Sequence, residues 1–171
     1  MTSRRTSLRL ALSTGIAALM LIIAGTLSPA SAATANWMYM NDLGQPCLTS
    51  STASSNIWVQ YSCSGNGATT WHWGSETNQW QGHSMRRLVS NASGDCLTTD
   101  YGAETNDVYG APCGGGRTGQ FWTADNDEIQ NQNTNYLRTS DSGDGVFTSP
   151  KSVISKYGIN ETRFVWWGFL L

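Results

Sequence analysis

Few side chains in this sequence are equipped to move a proton or attack an electrophile. Catalysis of hydrolysis needs a positioned acid, base or nucleophile. His72 lies between Trp71 and Trp73 on an expected strand, and His83 follows eleven residues later, too far along the chain to propose a metal pair. Asp125, Asp127 and Glu128 form one acidic group, Asp141 and Asp144 another, both where hairpin turns are expected. Asx side chains favour such turns, and neither loop carries the ligand ladder and closing glutamate of a helix-loop-helix calcium site. The four cysteines are expected to pair, which leaves no nucleophilic thiol, and no serine has a partner base. The expectation is a protein with no catalytic residue, no cofactor and no metal. What remains is recognition chemistry: 8 Trp and 6 Tyr, whose rings offer stacking faces, among neutral amides and hydroxyls.

The start of the chain bears on where that chemistry operates. Arg4, Arg5 and Arg9 precede an apolar run from Leu10 to Leu27, followed by the small residues Ala30-Ser31-Ala32. This is the pattern of a cleaved signal peptide over residues 1–32. Ser13, Thr14, Gly15, Gly25 and Thr26 dilute the run, and no positive cluster follows it, so a membrane anchor is not expected. Ser3 to Arg9 also resembles a twin-arginine export signal, with Ser7 where that pattern wants a bulky apolar residue. The route of export stays open. Cleavage removes three of the 10 basic residues and none of the 12 acidic ones, leaving a mature chain from Ala33 with a net charge of about −5. Such a domain is repelled by nucleic acid and anionic lipid, whereas a neutral ligand is indifferent to its charge. All four Cys lie in the exported part, where oxidants pair them, and spacing alone leaves three pairings open.

The elements that must position these side chains read as a repeat. Gln45-Pro46-Cys47-Leu48-Thr49 matches Gly94-Asp95-Cys96-Leu97-Thr98, and Cys63 followed by Trp73 matches Cys113 followed by Trp122, both at an offset near 49. A fainter third copy runs from Ile129-Gln130-Asn131 through Tyr136-Leu137-Arg138 to Trp166 or Trp167. In it Asn131 stands five residues before Tyr136, as Asn91 stands before Cys96. Three copies of this length suggest a self-closing architecture and not an open solenoid. Ile57–Tyr61, Gln120–Thr123 and Arg163–Trp167 are short, β-branched and aromatic, separated by Asp- and Gly-rich turns. No later segment shows a helical stripe longer than two turns. The class is all-β. Residues 74–86 have no counterpart in the second copy and are expected to form a long hairpin carrying exposed Trp80 and His83.

Arg87 to Trp122 closely resembles one repeat of the ricin B-type β-trefoil lectins and carbohydrate-binding modules. It has an Asn before a small-residue turn, a Cys-Leu pair, a second Cys before a Gly-rich turn, and a closing Gln120-Phe121-Trp122. The resemblance covers residues 36–170 and implies a β-trefoil of twelve strands in three pseudo-symmetric repeats over residues 33–171. Equivalent cysteines should close equivalent loops, so the repeat selects Cys47–Cys63 and Cys96–Cys113. The third copy, with Tyr136 in the Cys position, is expected to hold by packing alone through Val146, Phe147 and Val153, and to be the loosest. Leu48, Leu97, Leu137 and the closing Trp of each copy should point inward.

In that family a working sugar site resembles a shallow pocket: an Asp two residues after the first Cys, an aromatic two before the second, and polar groups before the closing Trp. Here Thr49, Thr98 and Arg138 stand in the Asp position. Tyr61 keeps the aromatic in the first copy, and Ala111 replaces it in the second. The resemblance therefore implies a degenerate site in the first copy, with Tyr61 stacking, Gln60 and Thr49 hydrogen-bonding, and Trp58 or Trp80 extending the platform. Asp100 and Gln120 are the candidates in the second. The expected function is a secreted, monomeric carbohydrate-binding module for a neutral glycan or polysaccharide. The second reading is a trefoil that has lost its sugar site and binds a protein, as an inhibitor or toxin-like accessory subunit.

Overall fold

The computed structural model describes residues 34–171. The expected signal peptide and its cleavage point lie outside the described residues. Twelve strands, antiparallel at every pairing, form one sheet system: β1 (Asn36–Asn41), β2 (Cys47–Ser50), β3 (Ile57–Gln60), β4 (Trp71–Trp80), β5 (His83–Ser90), β6 (Cys96–Thr99), β7 (Asn106–Ala111), β8 (Phe121–Thr123), β9 (Gln130–Asn131), β10 (Tyr136–Thr139), β11 (Val146–Ser149) and β12 (Trp166–Leu170). The path runs β3-β2-β1-β4-β5-β6-β7-β11-β10-β9-β8, with β5 also pairing β8 and β12 pairing β1. A six-residue helix, α1 (Ser152–Tyr157), follows β11. Its length agrees with the absence of any long helical stripe.

The strands alternate, and the inward set is apolar. Leu48, Val59, Leu97, Val108, Leu137 and Val146 meet in one core with Trp71, Trp122 and Trp166. Burial would strand each indole N–H, and each finds a backbone carbonyl instead. Trp71 donates to Leu48 O at 3.1 Å, Trp122 to Leu97 O at 2.8 Å, and Trp166 to Leu137 O at 2.9 Å. A 3-10 turn leads into each: Gly67–Thr69, Thr118–Gln120 and Glu161–Phe164. Arg163 and Phe164, expected on a strand, belong to the last of these turns.

The closing tryptophan of the first copy is therefore Trp71, not Trp73 as a constant offset suggests. The separation from Leu48 to Trp71 is 23 residues, two fewer than the 25 from Leu97 to Trp122. Since Trp71 and Trp73 share a face of β4, the sequence pattern suits either. A second one-residue correction concerns Asn91. Asn41, Ser90 and Asn131 are the buried residues whose side-chain oxygens accept from the amide two positions on, Leu43, Ala92 and Asn133. Asn91 instead stands exposed beside Ser90 and binds His72, Thr70 and Asn36.

Both expected disulfides are present, Cys47–Cys63 and Cys96–Cys113, with Cα–Cα separations of 5.5 and 5.1 Å. The third segment is not held by packing alone. Val146 and Val153 are buried, but charged groups contribute beside them. Lys151 pairs with Glu128 and lies 5.0 Å over the Tyr136 ring, Arg163 meets Asp141 at 3.3 Å, and the buried Arg138 lies 5.8 Å over Phe147.

Residues 74–86 do form a hairpin, β4–β5, turning at Gln81 (φ 47°) and Gly82 (φ 84°). Two successive positive φ values make the tight turn whose twist matches that of the strands. A register shift between Trp73 and Thr77 bulges β4 and turns two carbonyls aside. Arg86 takes both, donating to Gly74 O at 2.7 Å and Trp73 O at 3.2 Å.

Candidate functional site

On the first of two candidate surfaces, Tyr61 follows β3 with its ring 79% exposed. Gly44, in the left-handed region at φ 76°, lies behind it: a Cβ there would stand 3.5 Å from the ring. Trp58 and Gln60 share the outward face of β3, about 7 Å apart along the strand, and both are half-buried. Gln60 Nε2 donates to Ser62 O at 2.9 Å. Trp58 pairs with Thr49 across the β2–β3 ladder and bridges to Gly145. Trp80 is 37% exposed at the hairpin tip.

The other expected ligands are engaged in the fold. Thr49 is fully buried, its hydroxyl donating to Cys47 O at 2.9 Å. Gln120 is also fully buried: its amide donates to Thr98 Oγ1 and Pro112 O, both at 3.1 Å, and its carbonyl oxygen accepts from Gly114 N and the Arg87 guanidinium. Neither offers a surface to a ligand, because each satisfies buried polar groups that would otherwise be stranded. Asp100 is exposed and accepts from the Tyr109 hydroxyl at 2.9 Å. Burial, reinforced by that carboxylate, pushes the Tyr109 phenol up. The ladders place the half-buried rings of Trp58, Tyr109 and Phe147 directly opposite Thr49, Thr98 and Arg138.

The second surface escaped the sequence reading. A cleft of about 310 Å³ opens between β1, β12, the β4–β5 hairpin and the turn after β8. Trp37 stands on one side, near-parallel at 14° to the buried Tyr39 with ring centroids 6.3 Å apart. Trp73 stands at 85° to Tyr39 and makes a corner. Gly168 on β12 faces these rings; a Cβ there would come within 3.2 Å of Tyr39 and 3.5 Å of Trp37. Ser84, Arg86, Asp125 and Asp127 are among its polar lining groups. The Tyr39 ring is 2% exposed, and its hydroxyl accepts the Trp73 indole N–H at 2.9 Å. Burial holds the phenol proton on far above the usual tyrosine range, and that proton has no acceptor among the described residues. Asp125 accepts from the Thr123 hydroxyl at 2.5 Å and lies 2.8 Å from the His83 ring. These two bonds hold its carboxyl below the usual range. The alternation Trp37-x-Tyr39 and Trp71-x-Trp73 carried a signal for one aromatic face, but it is indistinguishable from core patterning.

Among the described residues no three His, Cys, Asp or Glu side chains come together as a metal site. No helix there is long and apolar enough to cross a membrane.

No family model and no curated protein matches the chain in sequence. Solved structures do match it in fold. A salivary protein of the Cysteine and Tryptophan-Rich family from Culex quiquefasciatus superposes at a TM-score of 0.55 with 15% identity, covering 79% of this chain and 92% of that one. The cytolethal distending toxin of Haemophilus ducreyi gives 0.52 at 16% identity, over 77% and 81%. A GlcNAcα1-4Gal-releasing endo-β-galactosidase from Clostridium perfringens gives 0.54 at 13% identity, over 80% of this chain and 32% of that one. At these identities the likeness is one of fold.

Proposed function

We propose that this chain is an exported, non-catalytic carbohydrate-binding module built as a ricin B-type β-trefoil, with residues 1–32 as its signal peptide. The threefold plan is supported by the Trp71, Trp122 and Trp166 bonds to Leu48, Leu97 and Leu137 and by the turn that precedes each. Export is supported by two disulfides, which persist in oxidising compartments, and by similarity to a salivary protein and a toxin. Glycan binding is supported by similarity to a protein that releases GlcNAcα1-4Gal. It rests above all on Tyr61, an aromatic ring 79% exposed that the core does not use.

Tyr61, with Trp58 and Gln60 on the strand before it, offers uncharged aromatic and amide groups suited to a neutral polysaccharide. Without an acid at Thr49, the site relies on stacking and neutral hydrogen bonds, about half as strong as charge-assisted ones. Binding of simple sugars is accordingly in the high-micromolar to millimolar range, order of magnitude. A glycan array and pull-down on insoluble polysaccharide test this. Retention should be lost in Tyr61→Ala while the fold persists; unchanged retention by the folded variant refutes the site.

One observation favours the second reading, a protein-binding accessory subunit. Trp167 and Phe169 on one face of β12, and Leu171 just beyond it, leave apolar side chains exposed, and contiguous exposed apolar surface marks interaction sites. Absence of retention on every glycan would move the assignment there.

A further inference from the structure

We propose that the cleft between β1, β12 and the β4–β5 hairpin is a second and different carbohydrate site, one that takes a single neutral pyranose at the end of a glycan chain. The inference goes beyond the Tyr61 surface and does not depend on it. A volume of about 310 Å³ is at the lower end for small-molecule pockets. That suits one sugar ring.

The walls specify the chemistry. Trp37 and Trp73 are the half-buried rings of the corner, Trp37 near-parallel to the buried Tyr39 and Trp73 at 85° to it, so a sugar seated there meets aromatic carbon on two sides. Opposite stand groups of both hydrogen-bonding senses. Asp125 is held ionised by Thr123 and His83, and with Asp127 it accepts. The Tyr39 hydroxyl has already accepted the Trp73 indole, is kept protonated by burial, and has a proton to give. Arg86 spends Nε and Nη2 on the Gly74 and Trp73 carbonyls, leaving Nη1.

Other ligand classes meet a penalty on one wall. An anion faces Asp125 and Asp127, an amine meets the Arg86 guanidinium beside those carboxylates, and an apolar side chain desolvates both carboxylates and leaves the Tyr39 phenol proton unpartnered. A pyranose has hydroxyls that donate to the carboxylates, oxygens that accept from Tyr39 and Arg86, and an apolar C–H face for the rings. Gly168 is part of the design: without a side chain, β12 passes close over Tyr39 and Trp37 while leaving the corner open.

The test is a titration of the purified full chain, labelled at the indole nitrogens, with glucose, galactose, mannose and N-acetylglucosamine, and with methylammonium as a cation probe. At least one sugar should shift the Trp37 and Trp73 indole resonances saturably, and methylammonium should not. Asp127→Asn should weaken that sugar about fivefold, the excess of a charge-assisted over a neutral hydrogen bond. It should fold, because Asp127 sits at φ 58°, where Asn is well tolerated. Trp73→Phe should remove the response, and Tyr61→Ala should leave it intact. The proposal is overturned if no sugar moves these resonances, if methylammonium alone does, or if Tyr61→Ala abolishes the response while Asp127→Asn does not alter it.

Discussion

Trp122 and Trp80 are the same side chain in opposite circumstances, and their substitution separates packing from display. Trp122 is fully buried and bonded to Leu97 O, so Trp122→Ala should destabilise by about 3–5 kcal/mol. Trp80, on the hairpin tip, should cost under about 1 kcal/mol; denaturant melts giving the reverse order would contradict this account. A titration tests the Asp125 contact. Because its folded pKa is depressed by Thr123 and His83, its stabilising contribution is complete above the unfolded value near about 4 and is lost as pH falls through the folded one. In His83→Ala the Asp125 midpoint, read by carboxyl NMR, should rise. Residue identities were legible in the sequence where chemistry is unambiguous, as for the cysteines and Leu48, Leu97 and Leu137. They were illegible where two like residues share a face, as Trp71 and Trp73 do, or where a polar side chain serves the interior. Gln120 reads as a ligand in one dimension, and only burial reveals that it holds Arg87, Thr98 and Gly114 together.

Among elements, the two cystine-closed loops carry the clearest expectation. Replacing Cys96 and Cys113 by Ser opens a loop with a sequence separation of 17 and should cost on the order of 3 kcal/mol, seen as a lower midpoint in urea. The third segment relies on Lys151–Glu128, Arg163–Asp141 and helix α1, whose Lys156 and Tyr157 both reach Glu104 at 2.6 Å. Glu104→Gln should speed amide exchange in α1 and leave β6–β7 protected; uniform protection would show the tether to be idle. Strands and turns were readable because alternation and Gly or Asx chemistry are local signals. The bulge in β4 was not, since nothing local announces that Arg86 will collect the Trp73 and Gly74 carbonyls. Three ion pairs of the third segment, Lys151–Glu128, Lys156–Glu104 and Arg163–Asp141, join residues 22 or more apart, a distance no sequence pattern registers.

At the scale of the molecule, the exposed apolar side chains of β12 bear on the two functional readings. As a free-standing glycan-binding module the chain should run as a monomer in light scattering, and Phe169→Ser should leave both retention and mass unchanged. The all-β class was visible in composition and turn spacing; the cleft was not, because it exists only where the first, middle and last strands converge. That convergence has a temporal side. β1 finds its partner in β12, and Trp167 Nε1 reaches Asp42 Oδ1 at 3.2 Å across 125 residues. At roughly 5–20 residues per second of synthesis, β1 leaves the ribosome on the order of ten seconds before the strand that completes its ladder. The β1–β12 ladder thus cannot close until β12 has been made, and the corner at Gly168 waits on the same strand.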